Sequence, residues 1–391
     1  MSFWADVSSE SIYPLLPLFV TVVLGGAPWA LGLIEGVSDA IAQLSKAWSG
    51  AASDRVGKRR PFVVLGYFMS SLGKPLIGLA GSWPLVMVAR NLDRLGKGIR
   101  GTARDALLAD MVDKKDLGRA FGLHRMLDNA GAFVGSILAI VAVFIFKDDL
   151  RKAFLWAFIP GLIAMGLTMS VRDRQVAPKE PKPKGEKLRV GGEYWGLVGV
   201  MCLISLANTS DTFLLLRTTQ MINQSGTAKT FSSTFGLNLT LAGLVATILC
   251  YILASLSSTI FAYPAGLLAD RWGRTKVLFV ALAVFIACYA GFGFLAGGFF
   301  VLWAVYGCFN ALFDGTQKAL VAQLAPPDQR GAALGVFGTI SGIAVIVGNL
   351  MTGLLYSSFG PAVAFGTSAA IVLVAGLAYV PMSRRKWAPS N

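Results

Sequence analysis

The sequence predicts an all-α membrane protein with twelve transmembrane helices in two pseudo-symmetric bundles of six. Three observations support this fold class. The 391 residues are 55% hydrophobic with a mean hydropathy of +0.63, and only 14% are charged, whereas soluble chains carry about 25% charged residues. Apolar runs long enough to span a bilayer, about 20 residues each, recur along the chain. The loops between them alternate between basic and uncharged, which indicates alternate exposure to the cytoplasm.

The first six predicted spans occupy residues 1–171. They are Phe3–Leu24, Trp29–Ser49, Phe62–Ala80, a fourth that begins near Pro84, Leu117–Phe146 and a sixth that ends near Val171. The first apolar run is short unless the residues from Met1 onward belong to the span. The fourth span is exceptional because it carries a dense series of charged residues between Arg90 and Asp105.

Residues 172–192 form the one predicted linker. It is rich in proline and lysine, so we expect it to be extended and cytoplasmic. It divides the chain into a bundle of residues 1–171 and a bundle of residues 193–391. The predicted spans of the second bundle are Tyr194–Leu216, Leu237–Leu267, Val277–Ala296, Phe299–Leu324, Gly331–Tyr356 and Pro361–Pro381. Both termini are then cytoplasmic.

Composition excludes several other classes. The net charge of +14 comes mainly from loop residues, so the positive-inside pattern explains it better than nucleic-acid binding. The four cysteines lie in apolar runs without CxxC spacing, which is typical of inert thiols. A single histidine, His124, excludes a histidine-rich metal site. We find no signal peptide and no catalytic constellation of the kind a membrane enzyme needs.

Two sequence features recur about 215 residues apart. The segment Gly50–Arg60 is similar to Gly266–Arg274, and Gly101–Gly122 is similar to Gly315–Gly335. Repeats in the two halves of a membrane protein, with a cytoplasmic linker between them, are typical of parallel-repeat transporters.

The pattern GxxxDRxGKR at Gly50–Arg59 resembles the signature between spans 2 and 3 of the major facilitator superfamily. Its degenerate copy belongs between spans 8 and 9, where Asp270–Arg274 lies. Arg90-x-x-Asp93 resembles the family's second signature, with Asp in place of Gln. Gly131-x-x-x-Gly135 lies where the exporter signature is found but lacks its proline.

The resemblance covers the whole chain and implies a secondary active transporter that moves a small organic molecule by alternating access. It implies a multi-pass monomer in the inner (plasma) membrane, with no enzymatic activity, no nucleic-acid partner and no cofactor beyond the proton gradient. The segments Asp6–Phe19 and Asp93–Leu107 resemble a bacterial branch of mostly unassigned or drug-efflux-like members, which are expected to begin upstream of Met1. We therefore expect proton-coupled efflux by antiport. The alternative is proton-coupled uptake of an organic anion or metabolite, attracted by Arg90, Arg94 and Lys97.

Charged residues within spans are the candidate proton-coupling sites, because a charge at mid-membrane costs about 2.5–3.5 kcal/mol and must face protein or water. Glu35 and Asp39 share a helix face, as do Asp6 and Glu10. Such carboxylates bind a proton, hold Na⁺ through their oxygens, or neutralise a nearby lysine or arginine. The candidates are Asp6, Glu10, Glu35, Asp39, Arg90, Asp93 and Arg94.

The candidate substrate cavity draws on polar side chains of both halves. These are Tyr13, Lys97, His124, Arg125, Asp128, Asn208, Asp211, Asn310, Asp314 and Gln317. For the lone histidine, an ordinary hydrogen-bonded structural role is the alternative.

The signature loop is the candidate conformational latch. Asp54 can lie at the positive end of the following helix, and Arg55 and Arg59 can pair with acids such as Asp105 or Asp110. The alternative is plain positive-inside charge. The latch candidates are Gly50, Asp54, Arg55, Gly57, Arg59, Asp105, Asp270, Arg271 and Arg274.

Overall fold

Helices form the regular structure of the computed structural model, which describes residues 1–111, 117–146, 149–170, 188–326 and 329–383. No strand occurs within these ranges, so the prediction of an all-α membrane fold is confirmed. Most of the predicted linker, residues 172–192, lies outside the described residues, as do the side chains of Asp54, Asp110 and Arg125.

The helices of the first half follow the hydropathy pattern. They are α1 (Ser2–Glu10), α2 (Leu16–Leu18), α3 (Pro28–Val56), α4 (Arg60–Leu79), α5 (Trp83–Met111), α6 (Leu117–Phe146), α7 (Leu150–Trp156) and α8 (Phe158–Met169). The helices of the second half are α9 (Gly192–Ala207), α10 (Asp211–Gln224), α11 (Thr227–Phe235), α12 (Leu239–Trp272), α13 (Arg274–Phe294), α14 (Phe299–Gln323), α15 (Arg330–Phe359) and α16 (Pro361–Ser383).

The described residues fall into two compact units. The first contains the described residues up to 170 together with Thr230–Ile248, and the second contains residues 188–229 and 249–383. In the first unit α5 packs against α3 and α4, and α1 packs against α6. In the second unit α9 packs against α15 and α16, and α13 packs against α14 and α16.

Nine helical segments in the described ranges are long and apolar enough to cross a bilayer. The predicted spans that are not among them are the first segment, α3 and α5. The helix α5 carries eight charged residues among 29, and the first segment is broken into short pieces. The total of twelve spans therefore stays a prediction.

The first predicted span, Phe3–Leu24, is not one regular α-helix. The α1 helix ends at Glu10, and a 3₁₀ turn (Tyr13–Leu15), α2 and a π turn (Phe19–Val23) follow it. Pro14 and Pro17 explain the irregularity, because each lacks the backbone N–H that a regular helix needs.

The seventh predicted span, Tyr194–Leu216, is also interrupted. The α9 helix ends at Ala207, and Ser210 caps α10 by accepting a hydrogen bond from the Thr212 N–H at 3.4 Å. Asn349 of α15 accepts the Ser210 N–H at 2.8 Å and so satisfies one group that the break frees. The following polar segment, expected to be a loop, contains the short helix α11.

Glycines allow the closest helix contacts of the first unit. A Cβ atom on Gly66 of α4 would lie 2.6 Å from the carbonyl oxygen of Gly96 on α5. On α6, a Cβ atom on Gly131 would overlap the carbonyl oxygen of Phe3, and one on Gly135 would lie 2.6 Å from that of Val7. The paired glycines of α6 thus allow the backbones of α1 and α6 to touch.

Replacing Gly131 with alanine should therefore destabilise the protein by about 1–3 kcal/mol, the usual cost of overpacking, because backbone atoms of α1 cannot rotate away. Thermal denaturation in detergent measures the effect. Gly166→Ala is the matched control, since a Cβ atom there meets no neighbour within 4 Å. Equal midpoints for the two variants would contradict the close contact.

The sequence repeat has a backbone counterpart. Gly57 follows α3 with φ of 65°, and Gly273 precedes α13 with φ of 91°. Both lie in the region that favours glycine, and each follows an Asp-Arg pair. The repeated signature therefore forms a tight turn between two helices in both halves.

Candidate functional site

Buried charges of α3, α4 and α5 form a connected network. Arg90 lies at its centre, with Nη2 3.3 Å from Glu35 Oε1 and Nη1 3.5 Å from Asp93 Oδ2. Arg94 reaches the other oxygen of Glu35 at 3.9 Å. Arg90 also lies over the ring of Tyr13, with its guanidinium carbon 5.4 Å from the centroid. Five of the predicted residues are thus brought together by neighbouring helices.

Lys74 completes this network and was not among the candidate site residues. Its Nζ lies 3.7 Å from Asp93 Oδ1 and donates to the carbonyl oxygen of Ser70 at 3.2 Å. Ser70 in turn donates to Asp93 Oδ1 at 2.5 Å. Glu35, Lys74, Arg90 and Asp93 are each 1–2% exposed. The sequence did carry a signal for Lys74, since an ionisable residue inside a span is a functional candidate by default.

Asp39 differs from the other carboxylates of this region. It lies one turn after Glu35 on α3, is half-buried, and is close enough to Arg94 and Lys97 for their charges to act on it. Yet within the described residues it forms no ion pair and no hydrogen bond. With Asp39 included, three carboxylates (Glu35, Asp39, Asp93) face three cations (Lys74, Arg90, Arg94). The network is therefore neutral when every member is charged.

A cavity of about 330 Å³ lies in the first unit beside this network. Its lining comes from α1, α3, α5 and α6 and consists of Asp6, Lys46, Lys97, Arg100, Gly101, Thr102, Arg104, Asp105 and Asp128. Asp6, Lys97 and Asp128 were candidate residues, and they do meet here. Arg100 was not, although it belongs to the same charged series of the fourth span.

A second set of ion pairs lies at one side of the cavity. Arg104 donates to Asp105 at 3.0 Å and lies 3.9 Å from Asp128. Asp128 also accepts the hydroxyl of Ser2 and lies 3.4 Å from Nδ1 of His124. The histidine therefore has a carboxylate partner on its own helix, which agrees with the structural alternative for it.

The candidate latch residues lie in and beside the two signature turns, except for Asp105 of α5. Gly50 faces Thr102 of α5, Arg55 is exposed, and Arg59 is buried with Nη1 3.5 Å from the Ser53 hydroxyl. Asp105 pairs with Arg104 and not with Arg55 or Arg59, and the side chain of the other acid named, Asp110, lies outside the described part of the chain. Arg104 is the neighbour of Asp105 in sequence, and its guanidinium donates to the Asp105 carboxylate through both Nε and Nη2. In the second unit, Asp270 and Arg271 are exposed and Arg274 donates to Gln323.

The candidate residues of the second half do not all cluster. Asn208 lies at the break after α9 and accepts from Tyr289 at 3.5 Å, and Asp211 accepts from Tyr306 at 2.5 Å. On α14, Asn310 and Gln317 are half-buried and Asp314 is exposed. Sequence reasoning missed Asn349, the residue of α15 that bonds the break. A single Asn in an apolar span gave no local signal for this role.

The sequence profile of the Major Facilitator Superfamily matches residues 1–222 and 212–388. The chain belongs to this superfamily. An uncharacterised MFS-type transporter of Methanocaldococcus jannaschii is 32% identical over 387 residues, which cover 96% of this chain and 91% of the relative. The resemblance inferred from the two signature loops is therefore confirmed. The buried charge network described above lies in an MFS transporter.

Two further similarities are either partial or low in sequence identity. The multidrug resistance protein MdtH of Photorhabdus laumondii is 30% identical over 127 residues, which cover 32% of this chain and 31% of the relative. A variant of the nucleoside transporter NupG superposes with a TM-score of 0.77 at 14% identity, covering 97% of both chains. The second likeness establishes the fold alone.

Proposed function

We propose that this MFS transporter couples the movement of a small organic molecule to a proton gradient, with Asp39 as the proton-binding carboxylate. The observation that carries the proposal is the contrast between Asp39 and its neighbours. Glu35 and Asp93 are each paired with buried arginine or lysine side chains, so a proton on either would disturb an existing ion pair. Asp39 has no such partner among the described residues, so a proton can bind without breaking an existing pair.

We infer export by antiport as the direction. The partial similarity to a protein named for multidrug resistance supports this choice. In this scheme a proton enters Asp39 as substrate leaves, in a multi-pass monomer of the inner membrane with cytoplasmic termini. The gradient, not a bound cofactor, drives transport.

Uptake by symport is the second candidate. It is favoured by the cavity beside the network, whose lining includes four basic side chains, Lys46, Lys97, Arg100 and Arg104. Arg90 and Arg94, which we expected to attract an anion, face carboxylates instead. Any attraction of an anion therefore falls to the residues of the cavity.

Proteoliposomes with an internal pH dye distinguish these schemes. The purified protein is exposed to individual drugs and metabolites under an imposed pH gradient of each sign. Antiport predicts proton flux opposite to the flux of the transported compound. Proton flux in the same direction would replace export by uptake. Transport that is indifferent to both gradients would remove proton coupling.

A further inference from the structure

Two cations of the cavity form no direct ion pair within the part of the chain that the structure describes. Arg104 pairs with Asp105 and Asp128, so those two carboxylates are engaged. Lys97 and Arg100 make no ion pair and no hydrogen bond with any described residue. Asp6 is the one remaining acid of the lining. Across the whole lining, the four basic residues Lys46, Lys97, Arg100 and Arg104 exceed the three acids Asp6, Asp105 and Asp128 by one positive charge.

Arg100 is the more unusual of the two. Arg100 is only 3% exposed, and its guanidinium carbon lies 4.4 Å from the centroid of the Tyr67 ring. The guanidinium packs against this ring, and the residue also borders the cavity. Burying a charge without a partner is costly, and a cation–π contact offsets only part of this cost. An anion in the cavity would supply the missing counter-charge.

The geometry of the two cations favours a particular headgroup. A guanidinium presents its donors as a planar fork that matches the two oxygens of a carboxylate or phosphate, and an ammonium adds a compact point charge. Lys97 and Arg100 lie three residues apart on α5, so both side chains belong to one face of that helix. The cavity of about 330 Å³ is of the size that holds small organic ligands.

We propose that Lys97 and Arg100 form the headgroup site for a small organic anion that this transporter carries, bound through a single carboxylate or phosphate group. This assignment rests on the proposed transport function and names its substrate class. The excess of positive charge in the lining suits an anionic headgroup better than a neutral or cationic one.

The test measures equilibrium binding to the purified protein in detergent, without any gradient. The probes are benzoate and phenyl phosphate, with benzamide and benzylamine as neutral and cationic counterparts of similar size. We expect at least one of the two anions to bind, and the neutral and cationic probes to bind at least about tenfold more weakly, since a charge-assisted hydrogen bond contributes about 1.5–3 kcal/mol. A preference between benzoate and phenyl phosphate identifies the headgroup.

Two variants test the residues. Lys97→Gln and Arg100→Gln should each weaken binding of the anion at least about tenfold, whereas Lys97→Arg should retain most of it. Lys152→Gln is the control, because Lys152 is exposed and pairs with Asp149 outside the cavity. Thermal denaturation verifies that each variant is folded. Equal binding of benzoate and benzamide, no binding of either anion, or unchanged affinity in both glutamine variants would overturn the proposal.

Binding and coupling can fail separately. If the anions bind through Lys97 and Arg100 but no compound moves protons in vesicles, the headgroup site stands and the coupling proposal falls. If proton-coupled transport is found only for amines or neutral compounds, the coupling stands and the anion site falls.

Discussion

Replacing Asp39 with asparagine is expected to abolish transport driven by a pH gradient while leaving exchange of substrate across the membrane intact. The amide keeps the size and polarity of the side chain but cannot take up and release a proton. Exchange needs alternating access alone, so it should continue near the wild-type rate. Accumulation in proteoliposomes under an imposed pH gradient, compared with counterflow at equal pH, measures the two activities.

Asp39→Glu is the matched control, because it keeps a titratable carboxylate on the same face of α3. It should restore gradient-driven transport at least in part. Accumulation by Asp39→Asn at the wild-type level would exclude Asp39 as the coupling site. If Glu35→Gln alone had the uncoupling effect, the role would pass to Glu35, the other carboxylate of this pair.

Removing the charge of Asp93 should be the most destabilising conservative change in the first unit. Asp93→Asn leaves Lys74 and Arg90 buried with one carboxylate fewer, and breaking a buried pair in this way costs about 3–5 kcal/mol. The hydroxyl of Ser70 keeps a partner in the amide oxygen, so the loss is chiefly electrostatic. Thermal denaturation in detergent measures it.

A second substitution separates charge balance from packing. Lys74→Met restores neutrality in the Asp93→Asn background with a side chain of similar shape, so the double variant should recover most of the lost stability. Asp149→Asn is the surface control, because its pair with Lys152 is exposed and should contribute less than about 1 kcal/mol. A double variant no more stable than Asp93→Asn would show that the network does not act through its charge.

Much of this architecture was predictable because bilayer thickness determines the length of a span, and basic residues mark the loops that lie in the cytoplasm. Gly57 and Gly273 marked equivalent turns, since only glycine adopts their conformation without strain. The charged series of the fourth span predicted a buried network. The spacing of Glu35 and Asp39 placed them on one face, as found.

The helices that differ from the prediction do so because of individual residues, which average hydropathy does not detect. Pro14 and Pro17 break the first span through missing hydrogen bonds, and the break before Asp211 depends on Asn349, which is distant in sequence. Which cations of α5 are neutralised could not be read from the sequence either. Arg90 and Arg100 both lie in the charged series of the fourth span, but of the two only Arg90 forms ion pairs with carboxylates of α3 and α5 among the described residues. The other stacks on a tyrosine.

The three predicted spans that are too charged or too broken to count as apolar all belong to the first unit, and this has a consequence for biogenesis. A helix such as α5, with eight charges, is too costly to enter the bilayer alone at about 2.5–3.5 kcal/mol per central charge. Its partners are α3, with Glu35, and α4, with Lys74. We therefore expect these helices to leave the translocon as a group, already paired, and the more apolar helices of the second half to be able to insert one at a time.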